Sequence, residues 1–307
     1  MKKSVCLLIV AVLLLASSCA GTGTPAAKGP VTVGSKIDTE GALLSQMIII
    51  MLEKNGFEVV DKSQFGQTDI VRKAIISGEL DIYPEYTGNG AFFFGEEDSP
   101  VWKDAGQGYQ RVKELDKTRN NIVWLTPAPA NNTWAIAIPK TLAEEENLSS
   151  LEDFADYVNG GGYVKLIGSE EFVTSPAALP AFQEAYGFTL EQSQLLVVSS
   201  GNTAQTEKAA AEGTDGVNAA MAYGTDGSLS AFNLVILSDP RGVQPVYEPA
   251  PIVRGEVYDM YPEIGTILAP VFESLDLETL QRLNGLIAVE GQNAADVAGD
   301  YLSENGF

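Results

Sequence analysis

Two rhythms of apolar and polar positions alternate along this chain. Short β-branched runs are followed by stretches whose apolar residues recur every three or four positions, the signatures of strand and amphipathic helix. "VTVGS" (31–35) reads as a strand, and "GALLSQMIIIMLEKN" (41–55) as a helix. Asp38 or Thr39 can cap that helix, and Gly56 ends it. "FEVVD" follows as a strand, then "TDIVRKAIISG" as a helix between Thr68 and Gly78, then "ELDIYPE" as a strand.

After the Pro/Asn-rich stretch "TPAPANN" (126–132) the alternation restarts. "TWAIAIP", "YVKLIG", "LLVVS" and "VNAAMAY" read as strands. Between them lie helices over "SLEDFADYVN", opened by Ser150, over "PAALPAFQEAYG", kinked or restarted at Pro180, and over "TAQTEKAAAEG", capped at Asn202 or Thr203. Beyond "SDPRGVQPVYEPAPIVRG" the chain reads as helical to its end, with amphipathic stretches over 264–275, 277–289 and 294–305.

The β-α-β-α-β order implies parallel strands joined by crossover helices, hence an α/β fold. Two such units and a returning tail predict a bilobal, periplasmic-binding-protein-like architecture with a ligand cleft between the lobes. The expected boundaries are 31–131 with 241–307 for lobe 1 and 132–240 for lobe 2.

The N-terminus changes the setting. "MKKSVCLLIVAVLLLASSCA" places two lysines before an apolar run at 5–16 and small residues after it, which reads as a signal peptide over 1–19. Its end, "ASSC", resembles a bacterial lipobox, with Cys19 as the lipidated residue, although Ala16 stands where leucine is more usual. Ordinary cleavage near Ala20 is the alternative. Residues 20–30 read as a flexible tether, which places the body outside the cytoplasmic membrane, periplasmic or at the cell surface.

Composition narrows the chemistry. With 19 basic against 41 acidic residues in 307, the chain repels phosphate backbones, so nucleic acid is not an expected partner. There is no histidine, and the only cysteines are Cys6 and Cys19. Imidazole-based triads and the usual zinc ligands are therefore excluded from the body, and no cofactor is expected.

Four rings stand just after strands or at loop ends, where α/β sheets place ligands. They are Tyr86 in "PEYTG", Trp134 in "NNTW", Tyr223 in "MAYGTDG" and Tyr247 in "QPVYEPAP". One such ring is commonly a tyrosine packed under a loop; four, two from each half of the chain, suit a cage. A trimethylammonium group donates no conventional hydrogen bond and is held by π faces. Lys36 closes the first strand beside Thr39, where a cation and a helix start suit a carboxylate or hydroxyl, or else it is an ordinary surface lysine. In "GTDG", Thr225 adjoins a turn in which Asp226 is expected to cap the next helix. Phe92, Phe93 and Phe94 read as helix and core packing behind Tyr86. Asp81 and Glu85 raise a secreted carboxylate-dependent hydrolase as a remote alternative, but Pro84 between them enforces no useful separation. A sensory ectodomain is a third reading, without a second membrane segment to support it.

The segments "VGSKIDTEGALLSQMI", "SGELDIYPEYTGNG", "NNTWAIAIP", "AAMAYGTDG" and "PVYEPAPIVR" resemble the substrate-binding proteins of ABC importers for glycine betaine and choline. The C-terminal half, through "LNGLIAVEGQNAADVAGDYL", is most similar to the OsmF type. The resemblance runs from Val31 to Phe307 and implies capture of a quaternary-ammonium osmoprotectant without catalysis. It also implies delivery to permease subunits served by a separate ATPase, by a monomer on an N-terminal lipid anchor. It puts the cage on Tyr86, Trp134, Tyr223 and Tyr247, with Lys36 at the polar end and Asn89 and Asn132 nearby. Where many members carry a carboxylate-clamping arginine, this chain has Ser175 in "VTSPAALPAF". A neutral donor does not replace a bidentate guanidinium. Weaker glycine betaine binding, or preference for a ligand with a smaller polar end, is therefore expected; choline, carnitine or another amine taken up as nutrient is the alternative.

Overall fold

A computed structural model describes residues 28–199 and 203–307. The signal peptide, Cys19 and the proposed cap at Asn202 lie outside the described residues. Lys28–Pro30, expected in the tether, belong to the first strand. Lys28 N–H donates to the Gly56 carbonyl (3.0 Å) and the Lys28 ammonium pairs with Glu263 at 3.0 Å, so this stretch is anchored at both backbone and side chain.

Among the described residues ten strands form two five-stranded sheets. The first contains β1 (Lys28–Lys36), β2 (Phe57–Gly66), β3 (Ile82–Tyr86), β4 (Ile122–Trp124) and β10 (Pro249–Arg254), in the order β2-β1-β3-β10-β4. The second contains β5 (Trp134–Pro139), β6 (Leu166–Ser169), β7 (Leu195–Val198), β8 (Ala219–Tyr223) and β9 (Leu234–Ile236), in the order β7-β6-β8-β5-β9. The two sheets share one plan: three parallel strands, then an antiparallel strand inserted before the last. In each sheet the inserted strand is the one the chain forms on arriving from the other lobe.

β4, β9 and β10 were not expected from the sequence. "PAPIVR" carries two prolines, which ordinarily argue against a strand inside a sheet. Register accommodates them. Thr87 N–H donates to the Glu248 carbonyl (3.0 Å), so alternation along the antiparallel β3–β10 ladder puts Pro84 opposite Pro251 at a pair that exchanges no hydrogen bonds. On the other side, Pro251 faces Leu125 just past the end of β4, where only its carbonyl is used (Leu125 N–H, 2.9 Å).

The helices follow their local signals. Asp38 caps Thr39–Lys54 by accepting from Gly41 N–H, and the left-handed Gly78 (φ 80°) ends Thr68–Ser77. Ser150 and Asp153 form a capping box for Leu151–Asn159. Pro180 sits in the first turn of Leu179–Tyr186, so it starts that helix and does not kink it. The C-terminal helices Glu263–Glu273, Leu277–Ala288 and Ala294–Glu304 lay Leu268, Phe272, Leu283 and Tyr301 on the Leu43, Met47 and Ile48 face of the first helix. The second lobe has its own core around Ile136, Phe154, Phe172, Phe182 and Met221.

Candidate functional site

The strand ends of both sheets open on one cleft of about 1180 Å³. Lys36 closes β1, Tyr86 closes β3, and Asn89 stands in the short helical turn Thr87–Asn89 that follows. Thr39 begins the helix after β1. From the second lobe, Trp134 opens β5 and Tyr223 ends β8 directly opposite it in the antiparallel register, followed by Thr225. Asn132 and Tyr247 lie on the two segments that cross between lobes. These crossings are tied together: Asn132 N–H donates to the Tyr247 carbonyl (3.0 Å) and Tyr247 N–H donates to Asn131 Oδ1 (2.8 Å). Lys36, Thr39, Tyr86, Asn89, Asn132, Trp134, Tyr223, Thr225 and Tyr247 all line the cleft. Ser175 does not, and Glu171 from the same short helix reaches it instead.

The rings pack on one another and on a glycine turn. The Trp134 and Tyr223 rings stack at 6.3 Å with 23° between planes, and Phe172 braces the indole edge-on at 6.1 Å. Gly88 lets Tyr247 lie on the Thr87–Asn89 turn, since a Cβ there would fall 2.7 Å from the ring. Burial keeps the phenols neutral: Tyr247 is pushed up to about 12, and Tyr223 and Tyr86 are raised by the same cause.

The polar side of the cleft is organised by two carboxylates that sequence reasoning did not assign to it. Glu85, fully buried, accepts from Lys36 Nζ (2.5 Å), Tyr83 Oη (2.8 Å), Tyr86 N–H (2.7 Å) and Asn89 Nδ2 (2.7 Å). The Lys36 ammonium also rests 4.4 Å from the Tyr86 ring centroid. Lys36, expected at the ligand's polar end, and Asn89, expected near the cage, are thus both engaged by Glu85. Glu40, 5 % exposed, accepts from Tyr86 Oη (2.8 Å), Asn132 Nδ2 (3.3 Å) and Asn284 Nδ2 (2.7 Å). The signal for Glu40 was its place in "SKIDTEG", one turn past Lys36; nothing local pointed to Asn284.

Two further expectations change. Asp226 does not cap the helix that follows it: its Oδ2 accepts from Tyr223 N–H (2.7 Å) and tightens the turn after β8. It lies against Glu207, whose carboxyl is pushed up to about 10 by burial and by Asp226. Of the three phenylalanines, Phe92 is 59 % exposed at the cleft mouth, Phe93 stacks on the Arg72 guanidinium at 4.3 Å, and Phe94 is half-buried. Asp81 is taken up by Thr32 N–H and Arg254, which leaves Asp81 and Glu85 in separate networks.

Residues 29–304 match the family described as the substrate binding domain of ABC-type glycine betaine transport systems. The chain is 58 % identical over 281 residues to the glycine betaine-binding protein YehZ of Escherichia coli K12, covering 92 % of each. It is 33 % identical over 279 residues to a glycine-betaine-binding protein of Pseudomonas aeruginosa, covering 89 % of this chain and 87 % of that one. Apo YehZ superimposes with a TM-score of 0.85 over 91 % of this chain and 99 % of that one. A solved glycine betaine/carnitine/choline ABC transporter protein shares the fold at 20 % identity, with a TM-score of 0.80.

Proposed function

The chain belongs to the substrate-binding proteins of ABC-type glycine betaine transport systems, and from that premise we propose that it holds glycine betaine or a similar quaternary-ammonium osmoprotectant among Tyr86, Trp134, Tyr223 and Tyr247. The protein delivers its ligand to a permease and catalyses no reaction, as its family does. One observation carries the cage: four rings, from both lobes and the second crossing, line a single cleft. Each desolvated face contributes about 0.5–2 kcal/mol to a cation, so four approach the roughly 8 kcal/mol of micromolar binding. Thr39, Asn89, Asn132 and Thr225 line the ligand's other end, with Lys36 there held on Glu85.

In this reading lobe 1 (31–131 and 241–307) and lobe 2 (132–240) close as units about the paired crossings. The protein works as a monomer on the outer side of the cytoplasmic membrane, tethered through lipidated Cys19. A second reading, a ligand with a hydroxyl in place of the carboxylate, such as choline, is favoured by the Lys36–Glu85 pair and by Ser175 lying off the cleft. Calorimetric titration with glycine betaine, choline and carnitine separates the two. The Tyr86→Ala, Trp134→Ala double variant tests the cage: unchanged affinity in it rules the cage out.

A further inference from the structure

Glu40 sits where three parts of the molecule meet. Its Oε1 accepts from Tyr86 of β3 and Asn132 of the first crossing, and its Oε2 accepts from Asn284 of the Leu277–Ala288 helix. The second N–H of the same Asn284 amide donates to the Thr225 carbonyl (2.9 Å) across the cleft, and the Thr225 hydroxyl also lies against the Glu40 carboxylate. One turn earlier, Gln281 Nε2 donates to the Gly224 carbonyl (2.7 Å). Gly227 meets the same helix so closely that a Cβ on it would fall 2.1 Å from Gly285 N. A helix packed on the core of lobe 1 therefore holds the ligand loop of lobe 2, and Glu40 is the ionisable group at that junction.

We infer that Glu40 is a positioning residue that joins the Tyr86 wall of the cleft to the opposite lobe through Asn284, so that its charge sets both ligand affinity and lobe closure. The effect on affinity rests on the quaternary-ammonium reading above; the effect on closure does not.

The ionised carboxylate orients the Tyr86 hydroxyl and both amides as donors, and the charged acceptor gives the stronger hydrogen bonds. It also places a negative charge beside the ring on which a cationic ligand would rest. Burial, with the neighbouring Asp38 adding to it, pushes Glu40 up to about 7, while Thr225, Tyr86 and Asn284 pull the other way. Asp38 lies on the same segment, the Lys36–Glu85 pair lies beyond the Tyr86 ring, and Asp226 with Glu207 lies beyond Thr225 in lobe 2. Glu171 of lobe 2 faces the same cleft. Asn132 and Asn284 themselves do not titrate. A cation beside Glu40 favours its ionised form, so binding strengthens as pH rises through neutrality.

The test is calorimetric titration with glycine betaine at pH 6, 7 and 8, paired with small-angle scattering of the ligand-free protein at the same pH values. Wild type should bind about tenfold more weakly at pH 6 than at pH 8, because only about a tenth of Glu40 is ionised at the lower pH. Its ligand-free form should be wider at pH 6. Glu40→Gln should bind weakly with no pH slope and scatter as the wider form throughout; Glu40→Asp should keep the slope. Asn284→Ala should scatter as the wider form at every pH, and it carries the closure test if Glu40→Gln fails to fold. A wild-type slope retained in Glu40→Gln, or flat affinity in wild type, overturns the inference about affinity. A ligand-free size that ignores both pH and Asn284→Ala overturns the inference about closure. If no quaternary amine binds wild type while its size still shifts with pH, the ligand reading falls and the closure role of Glu40 stands.

Discussion

Glu85→Gln is the most informative single perturbation of the cleft. Glu85 is fully buried and its partner Lys36 is 6 % exposed, so the substitution leaves an ammonium in the interior without its counter-charge. Breaking a buried pair in this way costs about 3–5 kcal/mol. The loss is deepened because Glu85 accepts four hydrogen bonds, and a glutamine turns one of its two acceptor atoms into a donor facing other donors. The total is a substantial part of the roughly 5–15 kcal/mol that holds an ordinary domain together. Urea denaturation followed by tryptophan fluorescence at pH 7 should show a lower midpoint at similar slope. Lys36→Met in the same chain should recover at least about 2 kcal/mol, since it removes the stranded charge. If Glu85→Gln costs less than about 1 kcal/mol, or Lys36→Met adds further loss, Lys36 is not held by Glu85. A ligand readout accompanies the stability one: freeing Lys36 should raise the affinity ratio of glycine betaine to choline.

Gly227→Ala should weaken ligand binding by about tenfold or more, because its methyl would overlap Gly285 backbone and force the lobes apart; each lobe's own melting should change little by calorimetry. Trp134→Ala should cost about 10–100-fold in affinity and Trp134→Phe much less, measured by titration calorimetry, since only the first removes the π face. Glu207 is buried against Asp226, and its folded-state value of about 10 lies far above the ordinary 4.5. Its stabilising contribution is therefore complete below about pH 4.5 and is lost as pH rises through 10. Between pH 5 and 8 wild type should lose up to roughly 1.4 kcal/mol per pH unit from this group; Glu207→Gln should remove that share from the melting curves and leave the loss that Glu40, raised to about 7, adds below pH 7.

Most of the fold was legible because its signals are local. Asp38, Ser150 and Gly78 mark helix ends by chemistry that acts within a few residues, and the α/β alternation follows from runs bounded by such caps. β10 was not legible, because its prolines are tolerated only through the register of Pro251 against Pro84, residues far apart in the chain. The rings of the cleft were found for a simple reason: strand ends followed by turns face the cleft in both sheets. The Glu40–Asn284 contact spans 244 residues and joins a helix start to a helix middle, so no periodicity or spacing reveals it. Lys36 shows the opposite limit: its position was visible, but its engagement by Glu85 depends on β1 and β3 lying side by side. Phe92 was misplaced because a five-residue helix, Gly90–Phe94, is too short for a face to be read from its sequence.

The central claim, a quaternary ammonium held by rings from both lobes, is tested most directly by a crystal structure grown with glycine betaine. The account predicts the ligand nitrogen within about 6 Å of the ring centroids of Tyr86, Trp134, Tyr223 and Tyr247, with the Glu40 carboxylate beside Tyr86. A ligand seated away from these rings, or one touching rings of only one lobe with the lobes closed, would contradict it.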